Sequence, residues 1–213
     1  HINKFSLDDK RLDGVGESNN SISMLRYAEV LLNFAEAKAE LNQMDASIWS
    51  QTIGALRTRA GVSAAEPAVA DDYLKTVYFP EISDRYLLEV RRERGIELVY
   101  EGLRYPDLLR WKKGKLLEMQ WKGIYVPAKG LPMDLDGNGT PDVAFVDAAP
   151  AIKVPGVIYY TLTGSAKLSG GSRGFITWRD DEARRFEDKK YYHPISNADI
   201  VLNPNLVQNI GWQ

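Results

Sequence analysis

A chain of 213 residues, 44% of them hydrophobic, can bury a core of its own and form one domain or two small ones. Its formal net charge of -2, with no dense basic run, leaves no electrostatic footprint for nucleic acid or an anionic membrane surface. The absence of cysteine excludes disulfides, thiolate metal sites and a cysteine nucleophile, and no apolar run reaches the roughly 18 residues that a membrane-crossing helix needs.

The opening residues, His1 to Lys10, lack the apolar stretch of a signal peptide and no initiator Met is present, so the chain is expected to be a piece of a longer one. From Ser23 the pattern becomes helical. Leu25, Ala28, Leu32, Ala35 and Ala39 share one stripe that Leu31 and Phe34 widen, which predicts a helix over about 24–42. Asp45 is placed to cap a second helix carrying Ile48, Trp49, Ile53 and Leu56, with Arg57 and Arg59 suited to its C-terminal dipole and Gly61 to its stop. So short a connector makes the two helices antiparallel, an αα-hairpin of the tetratricopeptide type, of which one copy is visible.

Residues 62–80 carry Pro67 and Pro80 and read as a connector with one short helix near 71–78. Ser83 is a candidate cap for the next helix, which should run to about Glu101. Gly95 inside it costs about 1 kcal/mol relative to alanine, and its stripe with Leu88, Ile96, Val99 and Leu103 predicts a close helix contact. The same helix stacks Glu89, Glu93, Glu97 and Glu101 at i,i+4 spacing, where each like-charge neighbour costs roughly 0.2–0.5 kcal/mol. Cations are therefore required, and Arg85, Arg92, Arg94, Arg104 and Arg110 are close in sequence. A di-metal cage would want Glu-x-x-His on paired helices, but the histidines are His1 and His193, so the column reads as a scaffold of arginine forks holding carboxylates. A further helical piece spans Tyr105 to Lys113, with Pro106 in its first turn and Asp107 at its positive end.

Beyond Lys115 glycine and proline become frequent, and short apolar runs at Val143–Val146, Val157–Leu162 and Phe175–Trp178 suggest strands of a small irregular sheet. The organisation expected is a helical hairpin over 1–61, ion-paired helices over 81–115, and a loop-rich segment with a C-terminal tail over 116–213. The fold class is mainly α.

Within the loop-rich segment, Asp134, Asp136, Asn138, Thr140 and Asp142 recur at alternate positions with Gly139 at the sixth, the front of an EF-hand-like calcium loop. Phe145 stands where the closing glutamate belongs, so a calcium site and a turn that satisfies its own backbone are both open readings. Trp121, Tyr125, Tyr159, Tyr160 and Trp178 form a second candidate set, since exposed rings stack on the apolar faces of sugars while core packing is their alternative role. His193, in Tyr-Tyr-His-Pro-Ile, reads as a packed structural histidine. No nucleophile elbow, phosphate loop or dinucleotide fingerprint is present, and no carboxylate pair sits in an apolar setting that would mark it as catalytic.

Three stretches together resemble the C-terminal half of the SusD/RagB family of outer-membrane nutrient-binding lipoproteins. They are Arg26-Tyr-Ala-Glu through Glu40, the segment Glu93-Arg-Gly-Ile-Glu-Leu-Val-Tyr-Glu-Gly-Leu-Arg-Tyr-Pro-Asp-Leu-Leu-Arg-Trp111, and the tail His193-Pro-Ile-Ser-Asn-Ala-Asp through Trp212. Tyr105-Pro106 and Ile210 depart from the family pattern. The resemblance implies a SusD-like α fold with tetratricopeptide-like hairpins, no catalysis and no required cofactor. It also implies binding of an oligosaccharide, or of a peptide in some members, at the outer face of the outer membrane, delivery to a SusC-like TonB-dependent transporter, and a lipid anchor upstream of His1. A helical interaction scaffold capping the transporter is the alternative function.

Overall fold

Ala28, Leu32, Ala35 and Ala39 recur on one face of Tyr27–Glu40 (α1), and in the computed structural model of the chain all four are buried. The structure describes Lys4 and residues 21–213, which divide into two units, 1–113 and 114–213. In the first unit the alanine stripe lets α1 lie closely on Arg85–Glu97 (α4), whose Leu88 and Val90 are fully buried. Burying a Leu or Val of this kind contributes roughly 1.5–3 kcal/mol. The helix is shorter than predicted at both ends. Arg26 is extended at its start, and Asn42 turns the chain at a positive φ of 54° after its end.

Asp45 caps the second helix as expected, its carboxylate accepting the Ile48 amide at 2.8 Å. Between Ala46–Trp49 (α2) and Ala55–Arg59 (α3) the helix widens into a π turn over Ser50–Gly54. There the buried Thr52 hydroxyl donates to the Ile48 carbonyl at 2.6 Å, a side chain competing inside the backbone ladder. Leu74–Tyr78 forms a second π turn close to the predicted short helix.

Two boundaries in α4 need correction. Its cap is Asp84 rather than Ser83, the Asp84 carboxylate accepting the Leu87 amide at 2.7 Å. The helix stops at Glu97, so Glu101 lies beyond it, after Tyr100 at a φ of 64°. Gly95 is not a helix crossing either. A Cβ there would meet the Arg104 guanidinium at 3.3 Å, while Ile96 is 62% exposed, so the glycine makes room for an arginine. Arg104–Arg110 (α5) then places a buried Asp107 in an otherwise exposed first turn.

The second unit is built on short strands. Lys122–Val126 (β1), Gly174–Trp178 (β5) and Ala166–Leu168 (β4) form an antiparallel sheet in the order β1-β5-β4. Val143–Val146 (β2) and Ile158–Thr161 (β3) form a parallel pair. β2 is buried on both sides. Val143 and Phe145 pack with Val126 and Leu168, whereas Ala144 and Val146 pack with Val157, as a doubly covered strand requires.

The sequence leaves β1 unannounced because a bulge hides its alternation. Lys122 pairs with Thr177 but Tyr125 pairs with Phe175, so Gly123 and Ile124 together face one partner residue. Gly123 suits the crowded position: a Cβ there would come within 3.2 Å of the Ile176 carbonyl. The tail returns through Asn197–Leu202 (α6), Gln208 bonds both the amide and the carbonyl of Ile195 at 2.8 Å, and the Trp212 indole donates to the Lys189 and Tyr192 carbonyls.

Candidate functional site

The glutamate column lies among cations, as a scaffold requires, yet most of its partners come from farther along the chain than the neighbouring arginines. Arg57 reaches Glu89 at 2.6 Å and Glu93 at 2.8 Å, Arg59 reaches Glu97 at 2.6 Å, and Arg26 reaches Glu97 and Glu101, to which Lys4 also bonds. Of the predicted set, Arg92 holds Glu89, whereas Arg85 lies 3.7 Å from Glu66. Burial pushes the Glu101 carboxyl up, but hydrogen bonds from Arg26 and Lys4 outweigh it and hold it below the usual value.

A second cluster lies beside this column. Arg94 grips Asp107 through two bonds of 2.8 and 2.9 Å, donates to Asn33 at 2.7 Å, and approaches Glu36 at 3.4 Å. Glu36 also accepts from Arg110 and from the Trp111 indole. Arg94, Asp107 and Glu36 are 4%, 3% and 6% exposed, so each has exchanged water for a fixed partner. Such forks fix geometry. Among the described residues, each carboxylate of the column and of this cluster is paired with a cation.

In the second unit the five aromatic candidates separate. Strand pairing puts Lys122, Tyr125, Phe175, Thr177 and Lys167 on one face of the three-stranded sheet, and Val126, Leu168 and Ile176 on the opposite, core-facing side. Tyr125 meets Phe175 edge to face at 5.2 Å, with the Lys122 ammonium over the Phe175 ring at 5.4 Å. Trp178 is on the other side of β5, and extending the register by one residue sets Trp121 opposite it. The Arg184 guanidinium lies 4.8 Å from the Trp121 ring and donates to the Trp178 carbonyl at 3.2 Å, while Arg179 stacks on Trp178 at 5.4 Å. Both indoles are more than half exposed.

Tyr159 and Tyr160 do not join them. Tyr159 packs against the β2 core and its hydroxyl accepts the Val154 amide at 3.1 Å, a structural role. Tyr160 stacks on Phe145 at 5.9 Å with its outer face exposed. Of the five, Trp121 and Trp178 are thus brought together as exposed rings at one end of the β1-β5 pair, with Tyr125 on the opposite face. Arg184 gave no signal in the sequence because the Trp121 ring and the Met119 carbonyl that it meets lie more than 60 residues away along the chain.

The acidic loop is compact. Asp134 accepts the Gly137 and Gly139 amides at 2.7 Å, Asp142 accepts that of Leu135 at 2.8 Å, and Asn138 accepts that of Thr140 at 2.7 Å. Carboxylate oxygens of Asp134, Asp136 and Asp142 nevertheless lie within 4.8 Å of one another. The Gly139 amide leads the contacts that hold the Asp134 carboxyl below its ordinary value. Three hard oxygens suit calcium, but the twelfth position, Phe145, is committed to the core, and Asp147 is bonded to Lys129 at 2.9 Å. Asp134, Asp136 and Asp142 thus offer part of a calcium ligand set and lack its closing carboxylate.

His193 is exposed rather than packed, with its carbonyl accepting the Asn209 amide group at 2.6 Å. It has no carboxylate or hydroxyl partner among the described residues.

Comparison with known proteins agrees with this architecture. The model of the SusD family matches residues 1–212. A SusD-like protein from Bacteroides fragilis, seen by crystallography, superimposes with a TM-score of 0.53 at 21% identity over 90% of this chain. The chain spans 26% of that protein's length. No curated protein matches the sequence. The mostly helical, SusD-like α fold expected from the motifs is the fold observed.

Proposed function

The chain belongs to the SusD family, and from that premise we propose that it is part of a noncatalytic protein that binds an oligosaccharide nutrient at the cell surface and delivers it to a SusC-like TonB-dependent transporter. The observation that carries the glycan reading is the Trp121/Trp178 edge: two indoles 59% and 55% exposed, tied by Arg184 and flanked by Arg179. Rings of that size left in water cost hydrophobic free energy unless a ligand covers them, and sugar C–H faces stack on indole while guanidinium groups bond hydroxyls. The family further supports a lipid anchor and residence at the outer face of the outer membrane.

Isothermal calorimetry of the chain against a panel of neutral oligosaccharides and peptides tests this. Saturable oligosaccharide binding should weaken about tenfold in Trp178→Ala, the equivalent of about 1.4 kcal/mol. Peptide binding without saccharide binding would replace the glycan half of the reading. A second reading, a helical interaction scaffold capping the transporter, is favoured by the exposed stripe Tyr27, Val30, Phe34 and Leu41 along α1. Retained transporter association with no effect of Trp121→Ala or Trp178→Ala on uptake would select it.

A further inference from the structure

The first unit holds a cavity of about 400 Å³ lined in part by Tyr73, Tyr78, Phe79, Arg91, Arg92 and Arg104. Its charge is unbalanced. Among the described residues Asp71 is the one acidic residue in its wall, and it is already bonded to Arg92. Arg91 is 8% exposed and sandwiched between the rings of Phe79 at 5.0 Å and Trp111 at 4.7 Å, yet its Nε and Nη1 have no hydrogen-bond acceptor. Its nearest carboxylates, Glu40 at 3.4 Å and Glu81 at 3.7 Å, are both half exposed and too distant for a strong bond. Arg104 has neither an ion pair nor a side-chain hydrogen bond among the described residues; it crosses the surface of α4 at Gly95 and lies 5.8 Å from the Trp111 ring.

An arginine that is nine-tenths buried and leaves two donors unmade is an expensive arrangement in a unit whose other guanidinium groups mostly find carboxylates. The planar fork fits a carboxylate, and the tyrosine and phenylalanine rings supply apolar wall. We propose that this cavity, whose wall carries Arg91, Arg92 and Arg104 against the carboxylate of Asp71, binds a small organic carboxylate, of monosaccharide to disaccharide size, on the Arg104 guanidinium, with its ring or backbone against Tyr73 and Tyr78. The site is separate from the indole edge of the second unit and does not depend on the glycan reading. Burial holds Arg91 below the usual guanidinium range.

Two carriers of this chemistry are distinguishable: a uronic acid and the terminal carboxylate of a peptide. The test is NMR or calorimetric titration of the 213-residue chain with sodium glucuronate, N-acetylphenylalanine and glucose. Saturable binding of one or both carboxylates, none of glucose, and at least a tenfold loss in Arg104→Gln is expected. Gly95→Ala, which displaces the Arg104 guanidinium, should weaken binding with little change in melting temperature. Preference for glucuronate assigns an acidic sugar, and preference for N-acetylphenylalanine assigns a peptide terminus. Absence of binding by either carboxylate, or affinity unchanged in Arg104→Gln, overturns the proposal.

Discussion

Charge is used oppositely in the two units. Between 21 and 113 most of the arginine charge is turned inward onto carboxylates that are less than a tenth exposed, as in Arg57 with Glu89 and Glu93 or Arg94 with Asp107. Between 114 and 213 the ion pairs lie at the surface, as in Arg179 with Glu182, and the interior is the apolar sandwich around β2. Inward charges fix a helix crossing because each must keep its partner, whereas surface charges and half-exposed rings are free to change partners. Within this molecule ligand chemistry is therefore sought where pairing is incomplete.

The largest test of that contrast removes Arg94. Arg94→Ala leaves Asp107 and Glu36 with the half-exposed Arg110 as their remaining shared cation, and a loss of about 3 kcal/mol, the lower end for a broken buried pair, is expected from the urea midpoint of the first unit. Arg94→Met combined with Asp107→Leu should recover much of it, since the uncompensated charge is removed with its partner. If the single variant costs less than about 1 kcal/mol, the buried lattice is not what fixes this unit.

A steric change should do in the second unit what a charge change does in the first. A Cβ on Gly114 would lie 2.2 Å from the Phe186 ring, which itself meets Tyr191 edge to face at 4.8 Å. The Gly114 amide donates to the Tyr191 hydroxyl at 3.0 Å, so the glycine cannot withdraw without losing a bond. Gly114→Ala is expected to cost about 1–3 kcal/mol by overpacking. Amide exchange should show the loss within 114–213, and protection lost equally across 21–113 would contradict a local effect.

Acid should separate the units less sharply. The Glu101 carboxyl is held below its reference value of 4.5 by Arg26 and Lys4 against the cost of burial. A depressed folded pKa means that the stabilisation is present above about pH 4.5 and is lost as pH falls through the folded value. Arg26→Gln should therefore flatten the acid limb of a stability profile while leaving its neutral plateau lowered. An unchanged slope below pH 4.5 would show that Glu101 does not couple to folding.

These tests also mark what a single sequence discloses. The alanine stripe of α1 and the apolar run of β2 were legible because local periodicity and burial coincide there. The partners of the glutamate column were not, because Arg26, Arg57 and Arg59 are brought in by helix packing over more than 30 residues of chain. β1 was hidden by its bulge, and β4 by having three residues. The aromatic candidates were found by type, but the faces they occupy depend on register, which separated Tyr159 from the exposed edge. Arg91 and Arg104 drew no ligand reading because an unmade bond has no sequence signature.

The smallest expected effect concerns the loop from Asp134 to Asp142, where the exposed chemistry of the second unit comes nearest to a defined site. Three carboxylates without a closing glutamate predict millimolar calcium affinity, so a few millimolar calcium should stabilise by only about 0.5–1 kcal/mol. Asp134 is the wrong residue for the decisive variant, since it also holds the Gly137 and Gly139 amides and its loss would loosen the turn with or without metal. Asp136 is better: it bonds Asn138 within the turn but none of the strands that flank it. Asp136→Asn keeps that acceptor while removing one negative charge, so its melting temperature should match the parent in chelator and fall below it only when calcium is added. A parent melting temperature that chelation leaves unmoved would make the loop an Asx turn whose carboxylates serve their own backbone.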